Sequence, residues 1–286
     1  MIAQILVNGI IIGMTYALVA MGLSLVFGVM GTLNVGHGDF IILGSVLTFV
    51  LFSQIGVPPY VGILAALIAG ALVGGLTQRF LLERIRGGEP LMSLLLLFGV
   101  GMIIAQTAAL AVGTGFFSVP YWQDSIAIAT VMIPSSGLFV LGAAVLATVA
   151  LFYFLSRTRY GRAIRATAQE PDLAAAVGVN TRSIRILSFS IGGALAAIAG
   201  ALLVTTQGLS ALSGPVFLMV AFATCVLGGL GSVPGALIAG LVIGLVEVTA
   251  AWAVDIQFGQ LAIFTIFLLI LLFRPQGILG IKQRTV

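Results

Sequence analysis

Residues 156–185 read SRTRYGRAIRATAQEPDLAAAVGVNTRSIR and form a polar island in an otherwise apolar chain. The island holds six of the twelve Lys and Arg residues of the chain, and long apolar runs flank it on both sides. A basic connection between membrane spans lies in the cytoplasm according to the positive-inside rule. The island therefore predicts that the surrounding chain spans a membrane and that a soluble partner docks on this loop.

Composition points to the same class of protein. Hydrophobic residues make up 60% of the chain and charged residues 7%, with a mean hydropathy of +1.26, whereas soluble domains carry about 25% charged residues. The net charge of +4 is small and confined to loops, which argues against a nucleic-acid partner. Cys225 is the single cysteine, so no internal disulfide can form, and its apolar surroundings indicate a packing residue.

The apolar runs predict an all-α, polytopic membrane protein with about eight or nine transmembrane helices, since a hydrocarbon core about 30 Å thick requires roughly 20 apolar residues per helix. Two runs are short and bounded by Gly or Pro, which favours broken or re-entrant segments. We expect one transmembrane domain over residues 1–286. The candidate spans are 5–30, 39–55, 59–80, 91–113, 134–155, 186–207, 216–229, 235–254 and 258–273, of which 39–55 and 216–229 are the short ones.

The distribution of basic residues predicts the orientation. Outside the island, Lys and Arg occur in only two places, after the third span and at the C-terminus. Three basic clusters on one face of the membrane and none on the other place the N-terminus outside and the C-terminus in the cytoplasm, given nine crossings. The two further clusters are Arg79, Arg84 and Arg86, and Arg274, Lys282 and Arg284.

Small residues recur at every fourth position on three candidate spans. Such stripes let helix backbones approach closely in lipid, and we expect them to make helix–helix contacts rather than to line a substrate path. The stripes are Ala66, Gly70 and Gly74; Gly192, Ala196 and Gly200; and Ala236, Gly240 and Gly244.

The middle of the island predicts a short surface helix. Pro171 suits the first helical position, and Glu170 and Asp172 put negative charge where the helix dipole favours it. Gly178 can supply a left-handed C-terminal cap, and Asn180 or Thr181 can cap the following span. Arg162 and Arg165 are expected to share one face of a helical extension of the fifth span. An ordinary charged loop is the alternative interpretation.

The segment from Gly28 to Asp39 lies between two apolar runs and carries three polar side chains within six positions, those of Asn34, His37 and Asp39. One interpretation is an element of a translocation path or gate. The other is a Gly-rich turn in which Asp39 caps a helix that begins at residue 40. Both interpretations fit the sequence.

Glu247 lies about twelve residues into an apolar span, where an ionisable group costs roughly 2.5–3.5 kcal/mol and usually faces an interior or a cavity. It can contribute a polar contact in the path or between subunits, or a structural hydrogen bond to a neighbouring helix. The spacing that follows Gly244 predicts that it lies on the packed face of its helix.

Motifs of catalysis are missing from the sequence. It contains no GxxxxGK[ST] phosphate loop, no HExxH or GxSxG motif and no Cys/His metal spacing, and His37 is the only histidine. We therefore expect no enzymatic activity, no catalytic residue, no metal site and no cofactor on this chain.

The chain resembles the permease subunits of ABC importers for branched-chain amino acids. The resemblance covers almost the whole chain and includes NGIIIGMTYALVAMGLSLVFGVMGTLNVGHGDF at 8–40, GRAIRATAQEPDLAAAVGVNT at 161–181, AAIAGALL at 196–203, VLGGLGSVPGALIAGLVIGLVE at 226–247 and RPQGILG at 274–280. Gly36 stands where the family is expected to have Ala, and the 80–90 loop is shorter and differently charged.

The resemblance implies a subunit of the bacterial plasma (inner) membrane that carries Leu, Ile and Val or related small amino acids. It also implies two ATPase chains that use ATP, a second related permease and a periplasmic substrate-binding protein. The coupling loop, 157–185, would contact an ATPase around 161–181. Its expected contact residues are Gly161, Arg162, Arg165, Glu170, Pro171, Asp172, Ala175 and Gly178.

Two other functions are open at this point. Relatives of the same family that carry urea or short amides provide one alternative. An ion-coupled secondary transporter is the other, with Asp39, His37 and Glu247 as ion carriers. A passive channel would not need the polar island.

Overall fold

The computed structural model describes residues 2–85, 90–122, 124–128, 131–274 and 277–278. These residues form eleven α-helices and four short strands. Eight of the helices are long and apolar enough to cross a membrane, which confirms an all-α, polytopic membrane protein. The eight are α1 (Ile2–Met30), α2 (His37–Ile55), α3 (Pro59–Leu76), α4 (Pro90–Val112), α5 (Ser135–Arg157), α8 (Thr181–Leu203), α10 (Val233–Ala253) and α11 (Ile256–Phe273).

Three shorter helices complete the set. Helices α6 (Arg159–Gln169) and α7 (Pro171–Ala176) lie within the polar island, and α9 (Gly214–Gly228) is the shorter apolar helix. At 1.5 Å per residue its 15 residues are about 22 Å long, less than the hydrocarbon core. After α3 the chain continues through a π-helical turn at Thr77–Leu81 and a 3₁₀ turn at Leu82–Arg84.

All nine predicted spans are helices. The largest difference is at the sixth, which was expected from residue 186 and begins at Thr181. The cause is the cap: the side chain of Asn180 accepts a hydrogen bond from the Ser183 N–H, so the helix starts inside the polar island rather than after it. Basic residues Arg86, Lys282 and Arg284 lie outside the described residues.

Four short strands cover one end of the bundle. Strand β1 (Phe116–Phe117) pairs antiparallel with β4 (Leu209–Ser210), and β2 (Ser125–Ile128) forms a hairpin with β3 (Val131–Pro134). The same end holds the start of α1, because the side chain of Gln4 donates to the Met132 carbonyl at 2.7 Å. It also holds the end of α8, since the Val119 N–H donates to the Val204 carbonyl at 2.9 Å.

The opposite end holds the basic residues and the end of the chain. Glu83 pairs there with Arg185 at 3.2 Å, close to the start of α8. The Ile278 N–H donates to the carbonyl of Leu227, in the last turn of α9, at 2.7 Å. The described start and end of the chain therefore lie at opposite ends of the bundle.

Glycine brings the central helices into backbone contact. A Cβ placed on Gly240 of α10 would lie 2.5 Å from the Cα of Ala17 on α1, and one placed on Gly74 of α3 would lie 2.7 Å from the Phe189 carbonyl of α8. Real Cβ atoms do not approach that closely, so these crossings exclude a side chain. The predicted stripes are thus confirmed as helix–helix contacts.

We expect Gly240→Leu to destabilise the bundle, because the new side chain has to separate α1 from α10. Overpacking costs typically 1–3 kcal/mol, and here the obstacle is backbone. Thermal unfolding of the detergent-purified chain measures the effect, with the loss of monodispersity on heating as the readout. Gly142→Leu is the matched control, because the space beside Gly142, in the middle of α5, is open. Equal melting temperatures for the two variants would contradict this account of the packing.

Candidate functional site: a polar junction and a basic helix pair

Asp39 does not cap a helix that begins at residue 40. Helix α2 begins at His37, two residues after Val35, and Asp39 is its third residue. The position before the helix is Gly36, which makes no side-chain cap hydrogen bond. The capping interpretation is therefore wrong in its position, and capping does not explain the carboxylate.

His37 fixes the depth of this segment within the bundle. Its side chain is fully buried, and Nε2 lies 3.0 Å from the carbonyl oxygen of Val19. Val19 is in the middle of α1, so α2 starts inside the bundle rather than at its surface. The other ring nitrogen of His37 and both amide atoms of the buried Asn34 have no hydrogen-bond partner among the described residues.

The start of α2 meets the start of α9 and the middle of α4. Gly38 lies directly against the backbone of Gly214, and the carboxylate of Asp39 occupies the space that a side chain on Gly214 or Gly101 would need. Gly36 lies equally close to α4, where a Cβ would be 2.7 Å from the Leu97 carbonyl. We call residues 34–39, with Gly101 and Gly214, the polar junction.

Electrostatics favour an anion in the polar junction. Both α2 and α9 begin there, and helix N-termini carry partial positive charge. Asp39 is half-buried and has no ion pair or hydrogen bond to its side chain among the described residues. His37 and Asp39 lie two positions apart on α2 and contact different neighbours: Nε2 of His37 meets α1, whereas the carboxylate of Asp39 faces α4 and α9. A role for Asn34, His37 and Asp39 in a translocation path stays a prediction.

Glu247 is not part of the polar junction. Its carboxyl group lies beside the phenol of Tyr16 on α1, and its Cγ lies 3.0 Å from the position that a Cβ on Gly259 of α11 would take. Tyr16 belongs to a separate apolar cluster that includes Ile243 and Ile263. Glu247 is thus in polar contact with a neighbouring helix, while its Oε2 atom is buried without a hydrogen-bond partner among the described residues.

The polar island forms two helices rather than one extension of α5. Helix α5 ends at Arg157, and Thr158, in an extended conformation, caps α6 by accepting from the Gly161 N–H at 3.0 Å. The expectation that Arg162 and Arg165 lie on a continuation of the fifth span is therefore wrong. The break allows α6 to turn back across the end of α5. Gly161 is required at this contact because a Cβ there would collide with the carbonyls of Phe154 and Leu155.

Arg162 and Arg165 of α6 differ in their surroundings. The guanidinium of Arg165 donates to the Leu155 carbonyl at the end of α5, where it satisfies a carbonyl that the helix leaves unpaired. Arg162 is exposed and makes no ion pair among the described residues. Arg165 therefore holds α6 against α5, and Arg162 is free to meet a partner.

Helix α7 matches the predicted short helix. Pro171 is in its first turn, with Glu170 before it and Asp172 after it, and Gly178 has the left-handed conformation, at φ +88°. Ala174 is buried and holds the helix in place, whereas Ala175 on the same turn is exposed.

Sequence reasoning missed the apolar surface of this helix. Leu173 is 65% exposed and Val177 79% exposed, in the middle of a polar segment. Two large apolar side chains, four residues apart, are thus exposed on this segment. The signal was present in the sequence as two large apolar residues within a charged island.

The sequence profile of one family matches residues 5–273. That family is described as the branched-chain amino acid transport system permease component. The chain belongs to this family.

Full-length relatives have the same description. The permease is 32% identical to the high-affinity branched-chain amino acid transport system permease protein BraD of Pseudomonas aeruginosa, over 97% of the chain and 95% of the relative. It is 31% identical to the corresponding protein LivH of Escherichia coli, over the same shares. A Methanocaldococcus jannaschii protein described as a probable LivH permease is 28% identical over 98% of the chain and 93% of the relative.

A solved structure shares the fold. The PsaBC complex of Streptococcus pneumoniae, determined with a Fab, contains a chain that superposes with a TM-score of 0.57 at 12% identity, covering 94% of the permease and 91% of that chain. At this identity the similarity concerns the fold alone.

We expect the permease to tolerate Glu247→Gln better than Glu247→Leu. Gln keeps the size and the polar contact with Tyr16, whereas Leu leaves the buried phenol without its partner, which costs about 1–3 kcal/mol. Thermal stability and the yield of assembled complex measure the difference. If Gln abolishes uptake while the complex still assembles, the charge itself is required and the structural role is wrong.

Proposed function

We propose that the permease is one transmembrane subunit of an ATP-driven importer that carries Leu, Ile and Val or related small amino acids. The observation that carries the proposal is the match to branched-chain amino acid permeases along 97% of the chain. Relatives that carry urea or short amides remain the alternative substrate class. The chain works without catalysis of its own, and ATP is used by partner subunits.

The basic end of the bundle is the cytoplasmic end in this proposal, in the inner membrane of a bacterium. Excess Lys and Arg mark cytoplasmic loops, and α6, α7 and the Glu83 ion pairs all lie at that end. The start of α1 and the four strands then face the periplasm. There a periplasmic binding protein delivers the substrate, and a second related permease completes the membrane core.

Helices α6 and α7 are the docking surface for an ATPase subunit. The short helix α7 begins at Pro171, is followed by the left-handed Gly178 and is held from below by Ala174, so it presents Leu173, Ala175 and Val177 on an ordered support. Exposed apolar residues surrounded by Arg162, Glu170 and Asp172 match the apolar core and polar rim of a protein interface. The Arg165 bond to α5 connects movement of this surface directly to a membrane helix.

The polar junction is the gate of the translocation path. Both α2 and α9 start inside the bundle, and helices that start at membrane depth commonly surround transport sites. Gly38 and Gly214 close the junction by backbone contact. The carboxylate of Asp39 is suited to the ammonium group of an amino acid, and the unpartnered groups of Asn34 and His37 are suited to its polar atoms. Ion coupling is not favoured, because Glu247 contacts Tyr16 away from Asp39.

A cysteine at Ala175 should crosslink to an ATPase subunit in the intact complex. The background variant is Cys225→Ala, which removes the only native thiol, itself buried. Ala127→Cys, exposed on β2 at the opposite end of the bundle, is the matched control and should give no ATPase adduct. Crosslinking of the Ala175 position to the second permease alone would contradict the docking surface.

Substrate uptake should depend on ATP and not on an ion gradient. Proteoliposomes with the full complex, ATP on the cytoplasmic side and the binding protein loaded with leucine should accumulate leucine when an uncoupler collapses the membrane potential. Uptake of urea in place of leucine would select the alternative substrate class. Loss of all uptake under the uncoupler, with ATP held constant, would favour the ion-coupled transporter.

A further inference from the structure

A long apolar groove lies between α2, α3 and α4, on the side of α2 away from the rest of the bundle. Its volume is about 690 Å³, within the range of roughly 300–1,000 Å³ that ligand sites occupy. Within its lining, only Thr77 and Thr107 carry a polar side-chain atom, and both lie in helical segments. The groove is therefore a site for an apolar molecule.

The groove is elongated along the helices. On α4 it is lined from Val100 to Ala111, which at 1.5 Å per residue is about 17 Å. On α3 and the π-helical turn that follows it, the lining of the groove runs from Val73 to Leu81.

A positive charge marks the cytoplasmic end of the groove. The π-helical turn puts Phe80 in the lining and Arg79 beside it, with the guanidinium 5.4 Å from the centre of the Phe80 ring. Glu83 is already paired with Arg182 at 3.4 Å and Arg185 at 3.2 Å. Arg79 is exposed and has no anionic partner among the described residues.

We infer that the groove binds an anionic phospholipid, with an acyl chain against α2 and α4 and the headgroup phosphate on Arg79. The lining matches the hydrocarbon chain, and an arginine binds phosphate with two parallel hydrogen bonds. Anionic lipids attract basic residues at the cytoplasmic surface, by about 1 kcal/mol for each residue. The direction of the groove agrees with that of a lipid whose headgroup is at this surface.

The lipid would act on the helix that carries Asp39. Leu43, Val46 and Leu47 line the groove, one to two turns after Asp39 on α2. The wall on α4 begins at Val100, next to Gly101 of the polar junction. An acyl chain in the groove therefore packs behind two walls of the junction and supports α2 in its present position.

Photolabelling tests the site. The purified full complex is placed in nanodiscs that contain phosphatidylcholine and phosphatidylglycerol with a diazirine on one acyl chain, and adducts are mapped by mass spectrometry. Adducts should concentrate on Val100, Ile103 and Leu47. Arg79→Gln should lower this labelling about fivefold, which corresponds to ~1 kcal/mol. Arg274→Gln, at the exposed end of α11, should leave it unchanged.

A second pair of variants tests the groove without changing charge. Thr107→Trp places a large side chain in the groove and should abolish the adducts, whereas Met102→Trp, at a half-exposed position of α4 outside the lining, should not. Equal labelling of the groove and of α11, or equal labelling by a phosphatidylcholine probe, would overturn the proposal. The proposal is also overturned if a partner subunit covers Val100 in the complex and prevents labelling there.

Discussion

Direct backbone contact between helices is the constraint on which this bundle depends. Lipid offers no hydrophobic drive to bring apolar helices together, so close packing has to supply the association. Gly240 against Ala17 and Gly74 against Phe189 provide it in the pairs α1–α10 and α3–α8. The same device at Gly161 allows α6 to cross the end of α5. The large side chains are thus left to fill the core or to face lipid.

The packed helices let the permease hold a charged residue at depth. Asp39 is accommodated because Gly101 and Gly214 leave room for its carboxylate and because two helices begin beside it. The close contact of Gly38 with α9 involves the backbone of Gly214 and Leu218, whereas α1 and α10 touch over several turns, from Gly9 to Ala17. A conformational change is therefore cheaper at the polar junction than between α1 and α10. This difference suits a gate within a rigid frame, driven from α6 and α7 in our proposal.

Local signals in the sequence were sufficient for much of this architecture. The apolar runs predicted every span, and Pro171, Gly178 and Asn180 predicted the ends of α7 and the start of α8, because caps depend on neighbouring residues only. Contacts between distant residues were not predictable in this way. The contact of Tyr16 with Glu247, the break at Thr158 and the true position of Asp39 within α2 all depend on helices that the sequence does not place relative to one another.

Cryo-electron microscopy of the full complex in two nucleotide states, with leucine-loaded binding protein, tests the central claim most directly. In one state the backbones of Gly38 and Gly214 should separate, with density for the substrate beside Asp39. Gly240 and Ala17 should stay in contact in both states. A Gly38–Gly214 contact that is unchanged, with α1 and α10 moving apart instead and substrate density away from Asp39, would contradict the account.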